Sequence, residues 1–136
     1  WLGGSNNSIY LNYIGRFAFS TQNSQAGVGT ISTANFEYCS LNNTTHTFYA
    51  SGAAPGISNI NKYAFASSVT SSGHGHMHNN TQEKYVAGSS NTTHGYYMGG
   101  ISNRTKIQRF AWSSNTTAAN VGSLTNSRYR MRGWQK

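Results

Sequence analysis

The sequence predicts an all-β protein built from three copies of one module, and three observations carry that prediction. The block Ile14-Gly15-Arg16-Phe17-Ala18-Phe19 returns as Ile60-Asn61-Lys62-Tyr63-Ala64-Phe65 and as Ile107-Gln108-Arg109-Phe110-Ala111-Trp112, at steps of 46 and 47 residues. Each copy then carries a glycine followed two positions later by an aliphatic side chain: Gly29 and Ile31, Gly75 and Met77, Gly122 and Leu124. Charged residues make up only 9% of the chain, so its polar character rests on Ser, Thr, Asn and Gly. These residues compete with helical hydrogen bonds or lose much backbone entropy in a helix, and turns suit them. A further block, Thr45-His46-Thr47-Phe48-Tyr49, recurs as Thr93-His94-Gly95-Tyr96-Tyr97. Independent blocks that keep one frame mark a repeat architecture whose units stack.

Each element of a copy follows from local pattern. In the aromatic block, Phe17 and Phe19, Tyr63 and Phe65, and Phe110 and Trp112 alternate about a small Ala, the period of a strand with two aromatics on one face. The polar run after it, such as Ser20 to Gly27 or Ser113 to Ala119, is a loop. A short strand is expected next around Val121-Gly122-Ser123-Leu124 and its equivalents. Another is expected through Phe36-Glu37-Tyr38-Cys39, Lys84-Tyr85-Val86-Ala87 or Tyr129-Arg130-Met131-Arg132. The Thr-His block supplies the last, closing on Ser51-Gly52 or Gly99-Gly100, where glycine lets backbones approach closely. Four short strands per repeat is the content of one propeller blade.

The units are expected at roughly 5–52, 53–100 and 101–136, with residues 1–4 closing the last, because Trp1-Leu2-Gly3-Gly4 matches Tyr97-Met98-Gly99-Gly100. Trp1 and Trp134 lie near that closure. Three blades fall short of the about four to eight of known propellers. A ring would be completed by further copies or by a longer array, with a fibre trimer as the alternative.

The strand Tyr96-Tyr97-Met98-Gly99-Gly100, followed by Ile107-Gln108-Arg109-Phe110, resembles the kelch repeat. The Phe-Ala-Phe, Val-Gly-x-Leu and Ser-Ser-x-Thr-His-Gly-Tyr-x-x-Gly-Gly elements are similar to the kelch-like arrays of bacteriophage tail-fibre and virion proteins, including those of phages of cyanobacteria. The resemblance implies a non-enzymatic virion or extracellular protein without cofactors, whose partners are other virion proteins, copies of itself or a host-surface glycan. A secreted lectin or protein-interaction propeller is the second reading. A copper enzyme of the galactose-oxidase kind, which shares the kelch propeller, is the third. It would need a Cys joined to a Tyr, and Cys39 and Tyr38 are strand neighbours that point to opposite faces.

The chemistry-bearing residues are few. Glu37 and Glu83 are the only carboxylates, in near-equivalent positions of successive repeats, and there is no Asp. This argues against paired-carboxylate hydrolysis and a Ser-His-Asp triad. His74, His76 and His78 have a spacing of two, which on an extended strand aims three imidazoles at one side, a metal-binding geometry. The alternative, a polar loop anchored by Met77, is preferred. His46 and His94 are expected to be blade histidines satisfied by a neighbouring strand. The lone Cys39 cannot form an internal disulfide. The formal charge is +8, and seven basic residues lie in the last repeat: Arg104, Lys106, Arg109, Arg128, Arg130, Arg132 and Lys136. Without a nucleic-acid motif, Arg128, Arg130 and Arg132 read as the outer face of one strand rather than a phosphate-binding site. No run approaches the roughly twenty apolar residues of a membrane-spanning helix.

Overall fold

The computed structural model describes residues 2–5, 9–16, 20, 26–52, 57–66, 70–131 and 133, with side chains from residue 9 onward. Phe17-Ala18-Phe19, Trp1, Arg132, Trp134 and Lys136 lie outside the described residues. The fold is all-β, in three antiparallel sheets. The first contains β1 (Leu2–Ser5), β2 (Tyr10–Arg16) and β3 (Ala26–Thr30). The second contains β4 (Cys39–Asn42), β5 (His46–Ala50), β6 (Asn59–Ala64) and β7 (Ser72–His76), and the third β8 (Ala87–Ser90), β9 (His94–Met98), β10 (Lys106–Ala111) and β11 (Ala119–Ser123). In every sheet, strands neighbouring in sequence pair with each other. Ile14 lies opposite Gly29, Ile60 opposite Gly75 and Ile107 opposite Gly122, so the repeat seen in sequence is a repeat of register.

The sheets cut the chain in a different frame from units 5–52, 53–100 and 101–136. A sheet starts at Cys39 or Ala87, so units 5–52 and 53–100 each take strands from two sheets. Residues 2–5 pair with β2, and Leu2 lies opposite Ile14 as Met98 lies opposite Ile107.

The strands expected through residues 36–39 and 84–87 begin only at Cys39 and Ala87. Glu37, Tyr85 and Arg130 occupy the same place in successive repeats, with φ of 59°, 58° and 57°. A left-handed residue breaks an extended strand. Arg130 therefore stands in a bend, and the segment 128–131 is not the regular strand expected of Arg128, Arg130 and Arg132.

A second irregularity recurs in all three copies. Ile14 and Gly15 face Gly29 and Gly27, Ile60 and Asn61 face Gly75 and Gly73, and Ile107 and Gln108 face Gly122 and Asn120. Val28, His74 and Val121 are each the extra residue of a β-bulge, which breaks the two-residue alternation.

Packing is sheet against sheet. Ile14, Val28 and Ile31 of the first sheet region meet Tyr49 and Tyr63 of the second. Leu41, Phe48, Ile60 and Met77 meet Val86, Tyr97, Phe110 and Ala118 in the same way. Each such burial contributes about 1.5–3 kcal/mol. Backbone bonds tie the layers: Ser71 N–H donates to the Thr30 carbonyl (2.8 Å) and Ala118 N–H to the His76 carbonyl (2.7 Å). Inside each repeat the anchor aliphatic is pinned identically, with Ile31, Met77 and Leu124 donating to the carbonyls of Asn12, Ser58 and Thr105 at 2.7, 2.6 and 2.6 Å.

The two glutamates are not equivalents. Glu37 matches Tyr85 and Arg130, whereas Glu83 matches Asn35, and these last two are each buried against the glycine that follows the second strand of the ensuing sheet, Gly100 and Gly52 respectively. A Cβ at Gly52 would meet Asn35 Nδ2 at 2.4 Å, and one at Gly100 would meet Glu83 Oε2 at 2.5 Å. Glu83 accepts from Ser102 N–H (3.1 Å) and from the Asn103 amide. Burial nonetheless pushes its pKa up from the usual carboxylate value.

Tyr49 and Tyr97 are matched, wholly buried residues with different hydroxyl environments. The Tyr49 hydroxyl pairs with Ser71 Oγ. Ala118 stands where the second repeat has Ser71, and the Tyr97 hydroxyl has no hydrogen-bond partner among the described residues. Tyr49→Phe is therefore expected to lower unfolding free energy by about 1 kcal/mol, because the Ser71 hydroxyl keeps only the Ser32 N–H as a partner. Tyr97→Phe is expected to leave it unchanged or to raise it. Denaturant melts of the two variants check the contrast.

Candidate functional site: a groove between two equivalent turns

The turn that joins the first two strands of each four-stranded sheet is held by the same set of side-chain bonds in both copies. Asn43 Oδ1 accepts from Thr45 N–H (2.9 Å), Thr45 Oγ1 (3.2 Å) and His46 N–H (2.8 Å). Asn91 Oδ1 accepts from Thr93 N–H, Thr93 Oγ1 and His94 N–H at the same three distances. One short amide side chain thus replaces a backbone acceptor for three donors, the mechanism that makes Asn a turn former. His46 and His94 each meet the hydroxyl of the preceding threonine through Nδ1 at 2.8 Å. Their partner is within the turn, not on the neighbouring strand expected from sequence.

Because successive sheets stack, the two turns stand side by side. Between them lies a groove of 730 Å³ lined by Asn42, Asn43, Thr44, Ser90, Asn91, Thr92 and Trp112. The first six are two matched triplets, and none of the seven is charged. Trp112 is held from three directions. Its indole N–H donates to the Asn91 carbonyl (3.0 Å), and its ring lies 4.5 Å from Phe48 and edge-on to Phe110 at 5.2 Å. The equivalent residue of the preceding repeat is Phe65, which cannot make the indole bond. A fixed aromatic ring beside amides and hydroxyls suits a sugar, whose ring has an apolar face and a hydroxyl rim.

The other sequence candidates are dispersed. His74 sits on the bulge and is buried, whereas His76 is exposed and His78 opens a short 3₁₀ turn, His78–Asn80. The three imidazoles do not share a side as their spacing suggested, because the bulge reverses the alternation at His74. Among the described residues no group of three His, Cys, Asp or Glu side chains is placed to hold a metal ion. Cys39 and Tyr38 face different layers: Tyr38 packs edge-on to Tyr49 (5.1 Å), whereas a Cβ on Gly88 would meet the Cys39 sulfur at 2.6 Å. Burial pushes the thiol up to about 12, away from nucleophilic chemistry. The basic residues of the last repeat are partly stacked on aromatics, with Arg130 4.7 Å from the Tyr85 ring centre and Arg104 5.8 Å from that of Tyr129.

The groove escaped the sequence reading because its two halves are 48 positions apart and each half reads as an ordinary polar turn. The available signal was the parallel between Asn42-Asn43-Thr44-Thr45-His46 and Ser90-Asn91-Thr92-Thr93-His94. Comparison with known proteins finds no family model that matches the chain and no curated protein significantly similar to it.

His74 gives this region a pH signature. Its Nε2 lies 2.8 Å from the Ala111 carbonyl, and its ring is edge-on to Phe48 (4.7 Å) and Phe110 (5.6 Å). Burial lowers its pKa from 6.5, with the Ala111 hydrogen bond opposing and the Lys62 charge reinforcing the shift. The unfolded chain takes up this proton near 6.5 and the folded chain only at lower pH, so His74 withdraws stability as pH falls below 6.5. Replacing it as in His74→Val, the residue of the matching positions 28 and 121, removes that dependence. The melting temperature of the variant relative to wild type is expected to rise steadily from about pH 7.5 to about pH 5, as thermal melts in matched buffers will check.

Proposed function

We propose that the chain is a non-enzymatic adhesion and scaffold component of a virion appendage, that its sheets are kelch-like propeller blades, and that the groove beside Trp112 receives a neutral glycan of the host surface. The observation that carries the glycan reading is the pair of matched Asn-Thr turns facing each other across an uncharged groove with one clamped tryptophan. The stacked four-stranded meanders and their repeated register support the blade reading. The two-carboxylate inventory, with Glu83 buried among Ser102 and Asn103, supports a binding role over hydrolysis. The same groove would serve a secreted lectin, and competition of the isolated protein against adsorption of the parent particle separates the two.

A glycan array tests the reading. At least one neutral oligosaccharide is expected to bind. The double substitution Thr44→Val and Thr92→Val, which removes two hydroxyls but spares the Asn43 and Asn91 turn bonds, is expected to weaken that binding about tenfold, or about 1.4 kcal/mol. An array without a bound neutral glycan would reduce the role to architecture.

A further inference from the structure

We propose that the outer face of the third sheet docks a second copy of this chain, head to tail, through the same contact that already joins its successive sheets. The inference rests on that internal packing and is independent of the glycan reading. Three matched positions carry it.

The bulge residue is covered twice and uncovered once: Val28 is 7% exposed, His74 1% and Val121 42%. The anchors behind it follow the same pattern, since Ile14, Ile60, Ile31 and Met77 are buried while Ile107 and Leu124 remain partly accessible. The carbonyls of Thr30 and His76 accept from Ser71 and Ala118 of the following layer. Ser123, at the same place in the third sheet, receives no such bond from a described residue.

The glycine beside the bulge is the most specific sign. At Gly75 a Cβ would lie 2.2 Å from the Thr116 carbonyl oxygen, so the close approach of the next layer excludes any side chain. At Gly122 the nearest atom a Cβ would meet is Ile107 Cδ1 of its own sheet at 3.7 Å, an ordinary contact. No described neighbour requires glycine at 122. It retains the shape that an incoming backbone needs.

The occupant follows from continuity with the internal interface, which is made on both occasions by another sheet of the same repeat. A second copy carries the same repeat in its sequence, and two copies related by a two-fold would bring six sheets together. That number lies within the about four to eight blades that close a ring, whereas three copies exceed it.

Light scattering on the 136-residue chain, at increasing concentration, tests this. The expected mass is twice 14.8 kDa. Gly122→Ala leaves the isolated chain unstrained but places a methyl where the partner's carbonyl must sit, so it is expected to weaken association by about a hundredfold or more while circular dichroism stays unchanged. Val121→Lys acts on an already exposed side chain and is expected to do the same. Gly73→Ala, whose Cβ would meet nothing within 4 Å, is expected to keep the dimer. A wild-type chain that stays monomeric, a dimer indifferent to both Gly122→Ala and Val121→Lys, or a mass that grows without limit would each overturn the closed pair.

Discussion

The structure depends on one close contact, in which the carbonyl at the end of one sheet's last strand accepts a backbone hydrogen bond from the following layer. With a single cysteine and two carboxylates, the chain has neither disulfides nor extensive ion pairing to hold its layers. Main chain must therefore approach main chain, as Ala118 approaches His76 and as Thr116 approaches Gly75. The bulge beside that glycine turns Val28 and His74 into the interface, and the aromatic residues of the next sheet close over them. A buried hydrogen bond of this kind is modest in net energy, but leaving its groups unpaired in an apolar layer is expensive. That asymmetry keeps the layers in one register.

Within this frame the three copies have drifted in a physically coherent way. Where the second repeat sets Ser71 against the Tyr49 hydroxyl, the third has Ala118 and leaves the phenol of Tyr97 to packing alone. Where one repeat buries Asn35, the next buries Glu83 and supplies it with the Ser102 amide and the Asn103 side chain. Val28 becomes His74, which needs the Ala111 carbonyl for its ring nitrogen. Each polar substitution at a covered position comes with a local partner, and the loss of a partner is tolerated where the bulk of the ring is preserved.

Much of the frame was legible in the sequence because periodicity records which side chains meet an identical environment. Ile14 and Ile60, or Tyr63 and Phe110, repeat because they fill equivalent places between layers. The misplaced strand starts have a local cause: nothing in the residue types Glu37, Tyr85 and Arg130 announces the left-handed conformation they share. The separation of His74, His76 and His78 was hidden for a related reason, since a bulge is a property of two paired strands and cannot be read from one. The groove beside Trp112 was the least legible feature, because proximity between turns 48 residues apart arises only from stacking.

The turns themselves separate two demands that often conflict. Asn43 and Asn91 each hold three donors of their turn, and Thr45 and Thr93 settle the neighbouring imidazoles, so the side chains one step away at the tip, Thr44 and Thr92, take no part in these bonds. Chemical variety at Thr44 and Thr92 is thereby uncoupled from the integrity of the sheet beneath. A surface arranged in this manner can exchange one recognised target for another by small changes at its rim, while the scaffold goes on folding as before.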